Sequence, residues 1–155
     1  MEKRRPKLSL FVLDAGIRLR LVRALSSRFR IEIISSKTGP VKSFRKTRPA
    51  VVLLCASPRE MGRMGTHSHA LKTENRPPFV GLIALAGLPP DPEGFRRAHL
   101  LDGIAALPAD LEELVDWVNA LLAGDGFIAG EPAPGNRWRK VLRRLSGFRA
   151  SSTDE

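Results

Sequence analysis

The side chains that could do chemistry in this chain are few and stand apart from one another. The single cysteine, Cys55, ends an apolar run and could be a redox-sensing thiol, but free cysteines are more often small buried core residues, and we favour that interpretation. Asp14 ends another apolar run. One carboxylate makes a weak magnesium site, so we expect Asp14 to form a turn or to cap a helix.

The histidines and serines do not form a recognisable site either. His67, His69 and His99 lack the spacing of structural zinc ligands, so we expect no metal site and place His67 and His69 in an exposed loop. The sequence contains no Gly-x-Ser-x-Gly nucleophile motif and no phosphate-binding loop ending in Gly-Lys-Ser or Gly-Lys-Thr. We therefore expect neither enzyme activity nor a cofactor.

The charge of the chain indicates an acidic partner. Its 155 residues carry a formal net charge of +10, of which residues 1–7 and 126–155 contribute +3 each. Nucleic acid, an anionic membrane surface and an acidic protein would all suit this charge, although GC-rich coding also produces such an excess of Arg over Lys. One cysteine excludes an internal disulfide, and no apolar run reaches the roughly 18 residues of a membrane span, so we expect a cytoplasmic protein.

The elements that would position these residues alternate along the chain. Apolar runs of strand length predict five strands, at 8–13, 31–34, 50–55, 79–84 and 104–107. Helical spacing of apolar residues is clearest at 111–122, where Asp110 can cap the helix. The glycines and prolines of 56–77 argue against a helix there, although Met61, Met64 and Leu71 could line one. Strands that alternate with helices pair in parallel, so the pattern predicts a doubly wound α/β sheet.

Three of these stretches resemble the CheY-like receiver domain of bacterial two-component response regulators, over residues 7–122. Leu10-Phe-Val-Leu-Asp14 is similar to the acidic end of that family's first strand, and Arg48-Pro-Ala-Val-Val-Leu-Leu-Cys55 is similar to the strand that leads into the phosphoacceptor. The most specific match is Asp102-Gly-Ile-Ala-Ala-Leu-Pro108-Ala-Asp-Leu-Glu-Glu-Leu, which is similar to the end of the fifth strand and the start of the last helix. The resemblance implies a flavodoxin-like, five-stranded parallel sheet in the order 2-1-3-4-5.

The same resemblance implies a phosphorylation pocket that has lost its chemistry. Receivers use a phosphoacceptor aspartate, an acidic pair that binds Mg²⁺, a hydroxyl and a lysine. Of the matching positions only Asp14 is acidic, while Ala15 replaces the second acid, Cys55 the acceptor, Ile83 the hydroxyl and Leu107 the lysine. We therefore interpret the chain as a pseudo-receiver that is not phosphorylated on aspartate, and such relatives are docking or regulatory domains.

The tail at 136–149 has the pattern of a basic amphipathic helix, in which apolar residues recur at helical spacing and basic residues surround them. The residues expected to make contacts are Arg137, Trp138, Lys140, Val141, Leu142, Arg143, Arg144 and Leu145. Such a helix suits an anionic membrane interface or an acidic groove on a partner. The alternative is a sixth helix that packs on its own domain.

The predicted organisation is a basic arm at 1–6, a pseudo-receiver domain at 7–123, a flexible linker at 124–135, the amphipathic helix at 136–149 and a disordered tail at 150–155. We expect the domain to bind another signalling protein, with the tail tethering it to a partner or to the inner face of the membrane. A homodimer is a further alternative. The second-ranked function is a nucleic-acid-binding regulator that uses its basic termini.

Overall fold

Apolar runs form the strands of one sheet, and the segments between them form helices. The computed structural model describes residues 5–107, 112–130 and 141–144. The strands are β1 (Lys7–Phe11), β2 (Arg30–Ile33), β3 (Val51–Ala56), β4 (Phe79–Ala84), β5 (Gly103–Ala106), β6 (Phe127–Gly130) and β7 (Val141–Arg144). The helices are α1 (Ala15–Leu25), α2 (Pro40–Thr47), α3 (Met61–Lys72), α4 (Pro92–Ala98) and α5 (Glu112–Leu122).

The sheet is parallel over six strands, in the order β2-β1-β3-β4-β5-β6, and β7 pairs antiparallel with β6 at its end. This confirms the predicted doubly wound architecture and the order 2-1-3-4-5 of the first five strands. The prediction of only five strands was wrong, because β6 and β7 extend the sheet beyond β5.

The sheet is covered on both faces, which explains why its central strands lack polar alternation. Every residue of β3 is buried, with Leu53 and Cys55 in one core cluster and Val52 and Leu54 in the other. Helices α1 and α5 cover the first face, and α2, α3 and α4 cover the second. Among the described residues, every helix is too short or too polar to cross a membrane.

The flexible linker predicted at 124–135 was wrong for its central residues. Phe127, Ile128 and Ala129 of β6 are at most 4% exposed and pair with β5. Gly103 of β5 makes room for the Phe127 ring, since a Cβ at this position would lie 2.7 Å from it. The glycines, alanines and prolines around this four-residue strand are typical of a linker. Only its burial and pairing with β5 distinguish it from one. The sheet therefore continues past residue 123, where we had placed the end of the domain.

Helix α3 occupies most of the segment 56–77, so the helix that Met61, Met64 and Leu71 could line does form. Met64, Ser68 and Leu71 recur at helical spacing and are fully buried. Burial of this face outweighs the cost of two helical glycines, Gly62 and Gly65, which is roughly 1 kcal/mol each relative to alanine. The placement of His67 and His69 in a loop was therefore wrong, since both lie on α3.

The basic amphipathic helix predicted at 136–149 was wrong for the four residues of it that the structure describes. Val141–Arg144 form β7, in a register that runs from Gly130↔Val141 to Phe127↔Arg144. The edge of β6 offers unpaired backbone N–H and C=O groups, and pairing with them satisfies the backbone of this segment. Arg137, Trp138, Lys140 and Leu145 lie outside the described residues, as does Asp110, the predicted cap of α5.

Candidate functional site

The positions expected to form the degenerate phosphorylation pocket lie at the carboxyl ends of strands. Asp14 and Ala15 come shortly after β1, Cys55 and Ile83 are the next-to-last residues of β3 and β4, and Leu107 directly follows β5. Open α/β sheets bind ligands at this edge. The topology therefore places all five positions on the same edge of the molecule.

Cys55, Ile83 and Leu107 belong to one apolar cluster. Cys55 is the register partner of Ile83 across the β3–β4 pair, and the two residues are 0% and 2% exposed. Leu107 is half-buried against the same cluster, and its N–H donates to the carbonyl of Ala84 at 2.9 Å, continuing the pairing of β5 with β4. At three positions where a receiver would carry a carboxylate, a hydroxyl and an ammonium group, this chain has packed apolar side chains and a thiol.

The thiol of Cys55 is held in its neutral form. Burial raises the pKa of Cys55 from 9.0 to about 12, and the charge of Glu60 adds to the shift. Because the thiolate is the nucleophile, this shift leaves the Cys55 thiol unreactive at pH 7. The interpretation of Cys55 as a buried core residue is confirmed.

Asp14 interacts with the helix that follows it. Its side chain is exposed at the start of α1, where Oδ1 accepts a hydrogen bond from the N–H of Ile17 at 2.9 Å. The predicted capping role is confirmed. Ala15, the first residue of α1, supplies no second carboxylate, and a lone carboxylate provides few of the roughly six oxygen ligands that Mg²⁺ requires. In the part of the chain that the structure describes, no three His, Cys, Asp or Glu side chains are grouped so that they could hold a metal ion.

A capping box forms at the end of β3, and we did not predict it from the sequence. The N–H of Ser57 donates to Oε1 of Glu60 at 2.9 Å, and the Ser57 side chain accepts a hydrogen bond in return. The spacing Ser-x-x-Glu is a signature of this motif and could have been recognised. The box sets the start of the short 3₁₀ turn before α3, and it holds the Glu60 carboxylate near enough to Cys55 to raise the pKa of the thiol.

The histidines pack against aromatic rings on the other face of the sheet. The His67 ring lies edge-on to Phe11 at 5.8 Å between centroids, and burial, followed by the charge of Arg63, lowers the pKa of His67. The His99 ring lies 4.5 Å from that of Phe95 and occupies the space beside Gly65, where a Cβ would come within 2.5 Å of it. Core packing therefore accounts for His67 and His99.

No protein-family profile matches the chain, and no curated protein matches it significantly. Solved structures do match it. A CheY-like protein (tadZ) from Pseudomonas aeruginosa has a TM-score of 0.63 at 13% identity, over 76% of this chain and 99% of that one. A CheY-like response regulator protein from Mesorhizobium loti has a TM-score of 0.56 at 15% identity, also over 76% of this chain and 99% of that one. These likenesses confirm that the chain has the CheY-like receiver fold.

Proposed function

We propose that this chain is a non-phosphorylatable, receiver-like domain that acts through protein–protein contacts in signal transduction. The CheY-like fold supports the signalling role. The observation that carries the proposal is the state of Cys55, which stands at the position matching the phosphoacceptor, has no exposed surface and has a pKa of about 12.

Phosphorylation of a receiver requires three things that these side chains do not provide. A carboxylate oxygen must attack phosphorus, a metal ion must neutralise the phosphate oxygens, and a cation must balance the charge of the product. Cys55 presents a buried neutral thiol, Leu107 carries no charge, and the Asp14 carboxylate caps α1. The matching positions therefore offer neither the nucleophile nor the lysine, and they keep only one of the acidic pair.

Exposed apolar side chains support a role in binding another protein. Among the described residues the large exposed hydrophobics are Leu13, Leu19, Ile33 and Leu100, between 42% and 52% exposed. The first three belong to the β1–α1–β2 unit at one edge of the sheet. Exposed apolar residues concentrated in one part of a domain are typical of a contact surface, and we place the signalling partner there. The predicted homodimer and cytoplasmic location stay predictions.

Incubation with acetyl phosphate and Mg²⁺, followed by intact-mass measurement, tests the loss of phosphorylation. We expect no phosphoryl adduct on the natural chain, while a phosphorylatable receiver in the same reaction is labelled. A variant with Ala15→Asp, Cys55→Asp, Ile83→Thr and Leu107→Lys should gain a base-labile adduct if it folds, because it restores the missing groups. A phosphoryl group mapped to any carboxylate or to Cys55 of the natural chain would overturn the proposal.

The interaction role is tested by affinity capture, with the tagged chain as bait in a lysate of the cells that naturally express it, followed by identification of the captured proteins. In the combined variant Leu13→Ser, Leu19→Ser, Ile33→Ser the affinity for the captured signalling protein should fall at least about tenfold. This fall corresponds to about 1.4 kcal/mol of binding free energy. Leu100→Ser, equally exposed but next to β5, serves as the matched control and should retain it. Identical capture by the two variants would exclude the β1–α1–β2 unit as the contact surface.

A further inference from the structure

Two adjoining hollows open at the amino edge of the sheet, opposite the degenerate pocket. Their volumes are about 330 and 370 Å³, and Arg48 lines both. Five cationic side chains and no carboxylate are among the residues that line them: Arg5, Lys7, Arg30, Arg48 and Arg76. We call these five residues and the two hollows the amino-edge groove.

The fold gathers these cations from distant parts of the sequence. Lys7 begins β1 and is the register partner of Arg30, which begins β2, so their backbones are about 4.8 Å apart. Arg48 lies between α2 and β3, and Arg76 lies before β4. Both of these arginines have left-handed backbones, with φ of 50° and 54°. For Arg48 this conformation ends α2, since Arg48 is the C-cap of that helix and helices commonly end on a left-handed residue.

Backbone carbonyls, and not carboxylates, accept hydrogen bonds from three of the five cations. Arg5 Nη1 donates to the carbonyl of Ser26 at 2.9 Å, Lys7 Nζ to that of Thr47 at 3.1 Å, and Arg48 Nη1 to that of Asn75 at 2.9 Å. In the described part of the chain, none of the five lies within 4.0 Å of a carboxylate oxygen.

Within the described residues the five cations therefore have no carboxylate in direct contact, although the charge of Glu74 interacts with Arg48. Glu74 is close, but it forms two hydrogen bonds with Arg45, at 2.8 and 3.0 Å, and these, with the charges of Arg45 and Arg48, lower the pKa of Glu74. A larger hollow of about 770 Å³ between α1 and α5 also contains arginines, but Glu112 and Asp116 line it as well. The amino-edge groove is thus the better anion site of the two.

We infer that the amino-edge groove binds the sugar–phosphate backbone of a nucleic acid, without reading its sequence. The guanidinium groups of Arg5, Arg30, Arg48 and Arg76 can donate paired hydrogen bonds to phosphate oxygens, and Lys7 adds a point charge. Among the described residues, no side chain lining the groove is an exposed aromatic ring on which a base could stack. Contacts to phosphate alone give affinity and orientation but no base selectivity.

A nucleic acid fits the groove better than a membrane or an acidic protein does. Surface binding to a membrane couples basic residues with apolar side chains that enter the lipid, and none of the large exposed hydrophobics, Leu13, Leu19, Ile33 and Leu100, lines either hollow. A protein partner would gain most of its affinity from apolar or aromatic anchors, and Phe44 and Pro49 in the lining are themselves buried.

The test is the salt dependence of binding to a mixed-sequence DNA duplex, measured on the full chain by fluorescence anisotropy. Five phosphate contacts give a slope of about −4.5 in log K against log salt, so affinity should fall roughly 500-fold between about 50 and 200 mM NaCl. The variant Arg30→Gln, Arg76→Gln removes two contacts, and its slope should fall to about −2.7, or roughly 40-fold over the same range. These two arginines make no side-chain hydrogen bond within the described residues, so the fold should persist, which circular dichroism checks.

The variant Lys42→Gln, Arg59→Gln is the matched control, since it removes two exposed cations near the carboxyl edge. It should keep the slope of the natural chain, and a second duplex of unrelated sequence should bind equally well. Equal slopes for the two double variants would overturn the inference, because the binding would then lie elsewhere, for example in the basic tail. Absence of DNA binding, or stronger binding to phosphatidylglycerol vesicles or polyglutamate, would overturn it too. The phosphodonor experiment does not involve this edge, so the two proposals can fail independently.

Discussion

The thiol of Cys55 lies in the core cluster that β1, β3 and β4 share with α1 and α5. An exposed cysteine at a strand end would be a candidate nucleophile, but removal from water disfavours the thiolate, and the nearby Glu60 carboxylate adds to that effect. Asp14 is exposed, but its carboxylate accepts a hydrogen bond from the N–H of Ile17 and so caps α1. At this scale burial and local partners, more than residue type, determine what the candidate residues can do.

Cys55 should resist a thiol-specific reagent in the native protein at pH 7 to 8 and react fully in denaturant. Because the folded pKa of about 12 exceeds the ordinary value of 9.0, the folded state binds the thiol proton more tightly. This contribution to stability is complete below about pH 9 and is lost as the pH rises toward 12. Denaturant unfolding of the natural chain at several pH values between 7 and 11 measures the loss.

The control for this prediction is Cys55→Ala, which keeps a small apolar side chain in the core and has no thiol to ionise. Between about pH 9 and 11 it should lose less stability than the natural chain. Native labelling of Cys55 at the rate of a free thiol, or parallel pH profiles for the two proteins, would contradict the burial of the thiol.

Helix α3 shows how packing between elements reverses a local preference. Gly62 and Gly65 lie in the same helix, and each weakens it locally. A Cβ at Gly62 would meet nothing within 4 Å, whereas one at Gly65 would come within 2.5 Å of the His99 ring just beyond α4. The two positions therefore differ in tertiary contact while sharing the same helical preference.

Gly62→Ala should raise the free energy of unfolding by about 0.5–1 kcal/mol, because alanine is the better helix former. Gly65→Ala should lower it by about 1–3 kcal/mol, because the added methyl overpacks the contact with His99. Urea unfolding measures both changes. The double variant Gly65→Ala, His99→Ala should recover part of the loss, and stabilisation by Gly65→Ala alone would show that His99 does not pack there.

At the scale of the whole molecule, the two edges of the sheet differ in chemistry. Around the carboxyl edge, the positions matching the phosphorylation pocket are largely apolar, while the amino edge carries the five cations of the amino-edge groove. The sheet that separates these edges extends through β6, whose Phe127 ring stacks 6.0 Å from Trp117 of α5. Strand β6 is therefore part of the core, and removing it would expose β5.

A chain that ends after Gly124 should be far less stable than one that ends after Gly130. The shorter chain loses the buried Phe127, and deletion of a buried phenylalanine side chain alone costs about 3–5 kcal/mol. The longer chain keeps the six parallel strands. Thermal and urea unfolding of the two truncated proteins measure the difference, and equal stability would show that β6 is a linker after all.

The sequence by itself determined the parallel α/β architecture, because apolar runs of strand length alternating with helical periods are local signals. It also placed Asp14, Cys55, Ile83 and Leu107 along one edge of the sheet, since parallel strands all end on the same side. Only the tertiary structure decided the rest. Strands β6 and β7 depend on burial or pairing with neighbours that no local pattern reports, and in helix α3 only burial shows that the helical spacing of its apolar residues outweighs its two glycines. The amino-edge groove depends in the same way on the fold, because it joins Arg5, Arg30, Arg48 and Arg76 across the sheet.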